Sequence, residues 1–394
     1  MKSTLYIFFL LSLCGSISAA EPFDNHGSVS GHAPFYEYDK KIADSKPERV
    51  AMTLKNGTVY IGEFYKKRPH GTGKAIYKNG DVYEGSFVKG KRSGEGKMSF
   101  KNGNVYEGSF YKDSLDGDGK LTFADGRVFT GCWKNGDKHG FGRMDYPNGD
   151  YYVGAWENDE RNGFGSYHFS SGALYIGDWK DDTYCGRGTF VWSDSGKYIG
   201  TWVKGMRHGK GEYHAADSSV YKGEWANNFC DGKGVYTDIS GDVYKGSFKN
   251  GRWHGKGCFM GSDGSYYDGE FVNGMREGYG RMVFSNGDVY DGDWKENKRS
   301  GKGTYKWQNG DLYVGDWKND TMHGAGVLRL ANGVEYKGGY ANGEEEGTGV
   351  AKDMYGIRYE GTFKEGQRHG SFMLKDADGK LIRNCTYHLG IMKK

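Results

Sequence analysis

The sequence predicts an all-β protein, a single-layer antiparallel array of β-hairpin repeats. Three observations carry that expectation. An aromatic-x-Gly triplet recurs every 23 residues without a slip, at Tyr60, Tyr83, Tyr106, Phe129, Tyr152, Tyr175, Tyr198, Tyr221, Tyr244, Tyr267, Tyr290, Tyr313, Tyr336 and Tyr359, which makes fourteen units. Counting each anchor as offset 0, glycine holds offsets 2 and 11 in every unit, offset 13 in all but the last (Phe372), and offset 20 in all but two (Ser195 and Ser218). These places account for 53 of the 68 glycines, so the glycine content is architectural rather than a sign of a flexible chain. Finally, offsets 0, 2 and 4 alternate with polar residues, as do 11, 13 and 15, and a period of two means strand.

Taken in order, residues 1–20 have the form of a secretory signal peptide. Lys2 is followed by an apolar core from Leu5 to Cys14 and by small Ser18 and Ala20, with cleavage expected after Ala20. Leu13 is too bulky to favour a lipoprotein anchor on Cys14. The apolar run is too short to span a bilayer and nothing later approaches eighteen apolar residues, so the mature chain is expected to be soluble and exported, periplasmic or secreted. Residues 21–36 are polar and aperiodic, a tail. Residues 37–59 read as a degenerate N-terminal cap unit, with Asp39 where glycine belongs, and 382–394 as a closing half-unit, with Asn384 in place of glycine.

Between them, 60–381 holds the fourteen units. Asn79-Gly80, Asn102-Gly103 and Asn148-Gly149 separate one unit from the next and supply the positive φ of tight loops. Pairing offsets that sum to about 17 would set the offset-13 glycine between two offset-4 rings, for example Gly96 between Phe87 and Phe110. Each such ring contributes roughly 1.5 to 3 kcal/mol when buried, and only stacked neighbours can bury it.

The segments "YEGSFVKGKRSGEGKMSFKNG" and "YKGEWANNFCDGKGVYTDISG" resemble MORN (membrane occupation and recognition nexus) repeats, whose pattern is aromatic-x-Gly-x-aromatic followed by Gly-x-Gly. The resemblance implies an elongated, twisted, solenoid-like sheet used for protein binding and assembly scaffolding, with phospholipid binding as the alternative. It also implies a homodimer. The export signal departs from the commoner intracellular setting.

Composition and motifs limit the chemistry. A formal charge of +3 gives no prior for nucleic acid. The five cysteines after residue 20 (Cys132, Cys185, Cys230, Cys258, Cys385) match no disulfide framework or zinc spacing, and an odd number leaves at least one thiol free. No phosphate loop, nucleophile elbow or zinc-protease motif occurs, so neither an enzyme nor a cofactor is expected. His70, His139, His208, His254, His323 and His369 share offset 10, but none are in adjacent units. A separation of about 20 Å excludes a shared metal, and they read as turn histidines with local hydrogen bonds. Offset 9 is basic at Arg92, Lys138, Arg161, Arg207, Arg276, Arg299 and Arg368, an interrupted stripe that is the candidate contact for anionic lipid or an acidic partner. Trp192, Trp253 and Trp307, off the ladder, are candidate contact rings. Asn56, Asn319 and Asn384 open glycosylation sequons.

Overall fold

The computed structural model describes residues 48–393. The expected signal peptide, the expected tail and residues 37–47 of the expected leading unit lie outside the described residues. Among the described residues thirty-one strands, β1 to β31, build one antiparallel sheet in which each strand pairs with its neighbours in sequence. The first full unit is the hairpin of β2 (Val59–Tyr65) and β3 (Arg68–Ile76), and the fourteenth is that of β28 (Arg358–Lys364) and β29 (Gln367–Lys375). β1 (Glu48–Thr53) precedes them, and β30 (Leu381–His388) and β31 (Ile391–Lys393) close the sheet.

Two kinds of turn alternate. Between units the chain makes a three-residue loop, with Tyr77 N donating to Asp81 O, Gly80 N donating to Tyr77 O, and Gly80 at φ +97°. This is the loop that the Asn-Gly pairs announce. Within a unit the loop is shorter: Lys66 and Lys67 both have positive φ (46° and 59°), as a two-residue type I′ turn requires.

That short turn corrects the expected register. Tyr60 pairs with Ala75 and Gly62 with Gly73, so offsets sum to 15; past an irregularity at the offset-11 glycine, Phe64 pairs with Pro69 and the sum falls to 13. Gly96 therefore lies between Gly85 and Gly108, not between Phe87 and Phe110. A continuous row of paired glycines crosses the sheet, and the anchor ring covers it: a Cβ built on Gly96 would land inside the Tyr83 ring. Glycine is required here by close approach.

The core is a ladder on this one face. Tyr83 packs edge-on against Phe87 of its own unit (5.1 Å between centroids) and Phe110 of the next (4.9 Å), and this zigzag continues from Tyr60 to Phe363. T-shaped pairs add about 0.5 to 1.5 kcal/mol each beyond the area they bury. From Tyr60 to Tyr336 each tyrosine anchor donates its hydroxyl to the backbone carbonyl three residues on, Tyr60 Oη to Glu63 O at 3.0 Å, and burial raises the pKa of these hydroxyls, that of Tyr60 up to about 12, so they stay neutral donors. Each tryptophan at offset 4 donates Nε1 to a glycine carbonyl of the preceding unit, as Trp202 does to Gly188 at 3.2 Å. In the last unit Phe372 replaces the glycine and its ring fills the slot over Gly361, packing on Phe363 and Tyr387 and ending the ladder. All five described cysteines are free thiols.

Candidate binding face

The offset-9 cations do not project from an edge; they fold onto the ladder. The Arg299 guanidinium lies 4.4 Å over the Trp317 ring of the next unit, and its Nη2 donates to Asp320 O at 2.8 Å. Arg161 does the same over Trp179, Arg207 over Trp225 and Arg276 over Trp294, at 4.2 to 4.4 Å. Arg92 lies 5.3 Å over Phe110 and Lys138 4.9 Å over Trp156. Arg368 sits 3.7 Å over Tyr359. Carboxylates of the following turn pair with Arg92, Lys138, Arg161 and Arg299, whose side chains are less than a fifth exposed. Burial lowers the pKa of Arg207 and Arg276 from the usual guanidinium value. Where offset 9 is basic the row thus clasps one unit to the next, with the cationic heads laid over rings rather than held out from an edge.

The other expected site groups also turn inward. Trp253 stacks on Tyr244 at 4.3 Å, Trp192 packs edge-on against Tyr213, and Trp307 lies against Tyr305, so all three are half-buried flank of the ladder rather than contact rings. His70 Nδ1 accepts a hydrogen bond from Lys89 N at 3.4 Å. Nδ1 of His254, His323 and His369 is buried and makes no hydrogen bond to another protein group. Among the described residues no three His, Cys, Asp or Glu side chains gather as a metal site.

What remains for recognition is the opposite, open face, formed by offsets 1, 3, 12 and 14. Toward the C-terminal end it forms a groove of about 1600 Å³. Its lining is small or β-branched for much of its length: Thr304, Val314, Val327, Thr348, Val350 and Thr362, over glycine backbone. Next to the groove, offset 12 reads Arg187, Lys210, Lys233 and Lys256 in four consecutive units, all exposed, flanked by exposed Lys222 and Lys245 at offset 1. Further toward the N-terminus the same offset-12 row carries Phe141 and Phe164, 65% and 58% exposed. The lysine row is visible in the sequence as a run of cations at offset 12 in consecutive units, whereas the arginines at offset 9 are more numerous but scattered.

The comparisons agree on the repeat. The MORN repeat family model matches thirteen times, twelve between residues 60 and 335 and once at 359–371. The unmatched unit, 336–358, still forms the same hairpin with the same register. No curated protein matches the chain. Among solved structures, the TCP10 domain of Danio rerio CPAP is 12% identical, with 61% of this chain and 98% of that one covered at a TM-score of 0.22. The TCP domain of Drosophila melanogaster SAS-4, solved with a proline-rich motif of Ana2, is 12% identical over 56% and 88% at 0.16. Virginiamycin B lyase from Staphylococcus aureus is 12% identical over 78% and 95% at 0.12. Superpositions this loose do not bear on function. The family matches coincide unit by unit with the hairpins of the sheet and span most of the sequence: the chain belongs to the MORN-repeat family.

Proposed function

We propose that the protein is a non-enzymatic binding scaffold whose open face holds a protein partner. The observation that carries this is the groove: a concavity of about 1600 Å³ on the face of the sheet opposite the buried aromatic ladder. Small and β-branched linings admit a partner backbone closely and suit an extended polypeptide or a strand edge. The reading includes export, with the mature chain starting at Glu21, and self-association into a homodimer. Anionic membrane contact through Arg92, Lys138, Arg161, Arg207, Arg276, Arg299 and Arg368 is the weaker alternative, since these groups lie over rings and bond to the next unit's turn.

The test is crosslinking of the full chain in its native compartment, compared with Val327→Arg, which plants a charge in the groove. Loss of the crosslinked partner with an unchanged melting curve supports the reading. A partner retained by Val327→Arg and lost on changing an exposed turn instead would place recognition elsewhere.

A further inference from the structure

We infer that the open face, beside the groove, reads an extended acidic segment of the partner with one carboxylate at every third residue. The inference rests on the binding-face reading above and names the chemistry of what that face takes.

The row Arg187, Lys210, Lys233 and Lys256 is exposed, and each side chain comes from the same offset of successive units. Elsewhere on this face several cations are matched: Lys74 pairs with Glu84, Lys97 with Glu107, Lys222 with Glu212, Arg281 with Asp291 and Lys302 with Asp316, while Lys120, Lys245 and Lys337 join no ion pair among the described residues but form no consecutive row. None of the four in this row joins an ion pair among the described residues; Lys233 Nζ donates only to the neutral Ser247 hydroxyl, at 2.7 Å. The carboxylates that alternate with them turn aside. Glu224 accepts a hydrogen bond from Lys233 N at 2.8 Å, and Glu270 bends toward Gly278. The outcome is a file of four exposed cations without ion pairs, although Glu224 and Glu270 stand opposite Lys210 and Lys256 across the strands.

Its pitch selects the ligand. Two strands per unit set successive cations about 9.6 Å apart. Three residues of polyproline II advance about 9.3 Å and return to the same side. Carboxylates at i, i+3, i+6 and i+9 would therefore meet all four cations with a cumulative mismatch of about 1 Å. Alternating carboxylates in a β-strand, about 6.7 Å apart, would fall out of step after one. A flat bilayer needs no such register, and it cannot enter the groove into which this face continues. An acidic polypeptide is the occupant the spacing favours.

The probe is a fluorescent (Glu-Pro-Pro)4 peptide titrated into the full chain at 0.15 M salt, with (Glu-Pro)4 and (Glu-Pro-Pro-Pro)4 as equal-charge comparisons. We expect the three-residue repeat to bind at least tenfold tighter than either. Lys210→Ser with Lys233→Ser should lose at least tenfold, whereas Lys78→Ser with Lys101→Ser, exposed lysines away from the row, should lose less than twofold. Equal binding of all three peptides would overturn the inference. So would capture of the chain by phosphatidylserine vesicles, sensitive to Lys210→Ser with Lys233→Ser, in the absence of peptide binding. If the peptides fail while Val327→Arg still abolishes the native partner, this inference falls and the groove reading stands.

Discussion

Replacing Trp202 with alanine tests the ladder most directly. The indole is 5% exposed, packs edge-on against Tyr198 at 5.1 Å and Tyr175 at 5.6 Å, and donates Nε1 to Gly188 O at 3.2 Å. Its side chain removes about 200 Å² from water, which at about 25 cal/mol per Å² is worth about 5 kcal/mol. Partial collapse of neighbours reduces this and the lost hydrogen bond adds about 1, so a loss of about 4 kcal/mol is expected. Trp202→Phe isolates the indole, because Phe87, Phe110, Phe248 and Phe271 occupy the same place in other units; about 1 to 2 kcal/mol should be lost. An array opens locally, so a single global midpoint would blur the effect. Native-state hydrogen exchange resolves it: protection should drop in the strands spanning Leu174 to Ala226 and persist near β2 and β3. A loss below about 1 kcal/mol for Trp202→Ala, or one spread evenly along the sheet, would refute the ladder as the source of stability.

Three further outcomes follow from the same geometry. Arg299→Met keeps the stem over Trp317 but removes the charge and the bond to Asp320 O; urea unfolding should show a loss of about 1 to 2 kcal/mol, and sedimentation with anionic liposomes at 0.15 M salt should not change. Ser195 and Ser218 hold φ of 72° where other units have glycine, so Ser195→Gly with Ser218→Gly should raise stability by about 1 kcal/mol, read from the same titration. Glu345 has its carboxyl pKa raised to about 7, chiefly by burial and against the pull of Arg368. The folded state therefore keeps a proton that the unfolded chain releases above about 4.5, and this group's contribution is lost as pH rises from about 4.5 through about 7. Stability of the parent minus that of Glu345→Gln, followed across that window, should fall; a flat difference would remove Glu345 from the pH response.

The fold was legible because its signal is repeated. One aromatic-x-Gly triplet is weak, but fourteen in step fix the period, the strand alternation and the unit boundaries. The register was not legible, for a local reason. The turn at Lys66 and Lys67 has positive φ at both residues, and other units build it with Asp, Asn or Glu as well as glycine, so no single residue type announces it. Misplacing that turn moved the assigned glycine cover from the anchor ring to the offset-4 ring.

The offset-9 column points away from the exposed edge that its charge suggested, and the reason is physical. Charge in a sequence column says nothing about which way the column points. Arginine at offset 9 follows the short turn and meets the next unit's ring, and its planar head suits that stacking, so a conspicuous basic column becomes part of the packing. At offset 12 the strand alternation turns the side chain to the open face, where lysine has no ring to cover and keeps its charge in water. The choice of arginine for most cations of one column and of lysine for four of the five cations of the other therefore carries the information that net charge lacks. In this repeat the cation that stacks holds units together, and the cation that stays solvated is the one a partner can reach.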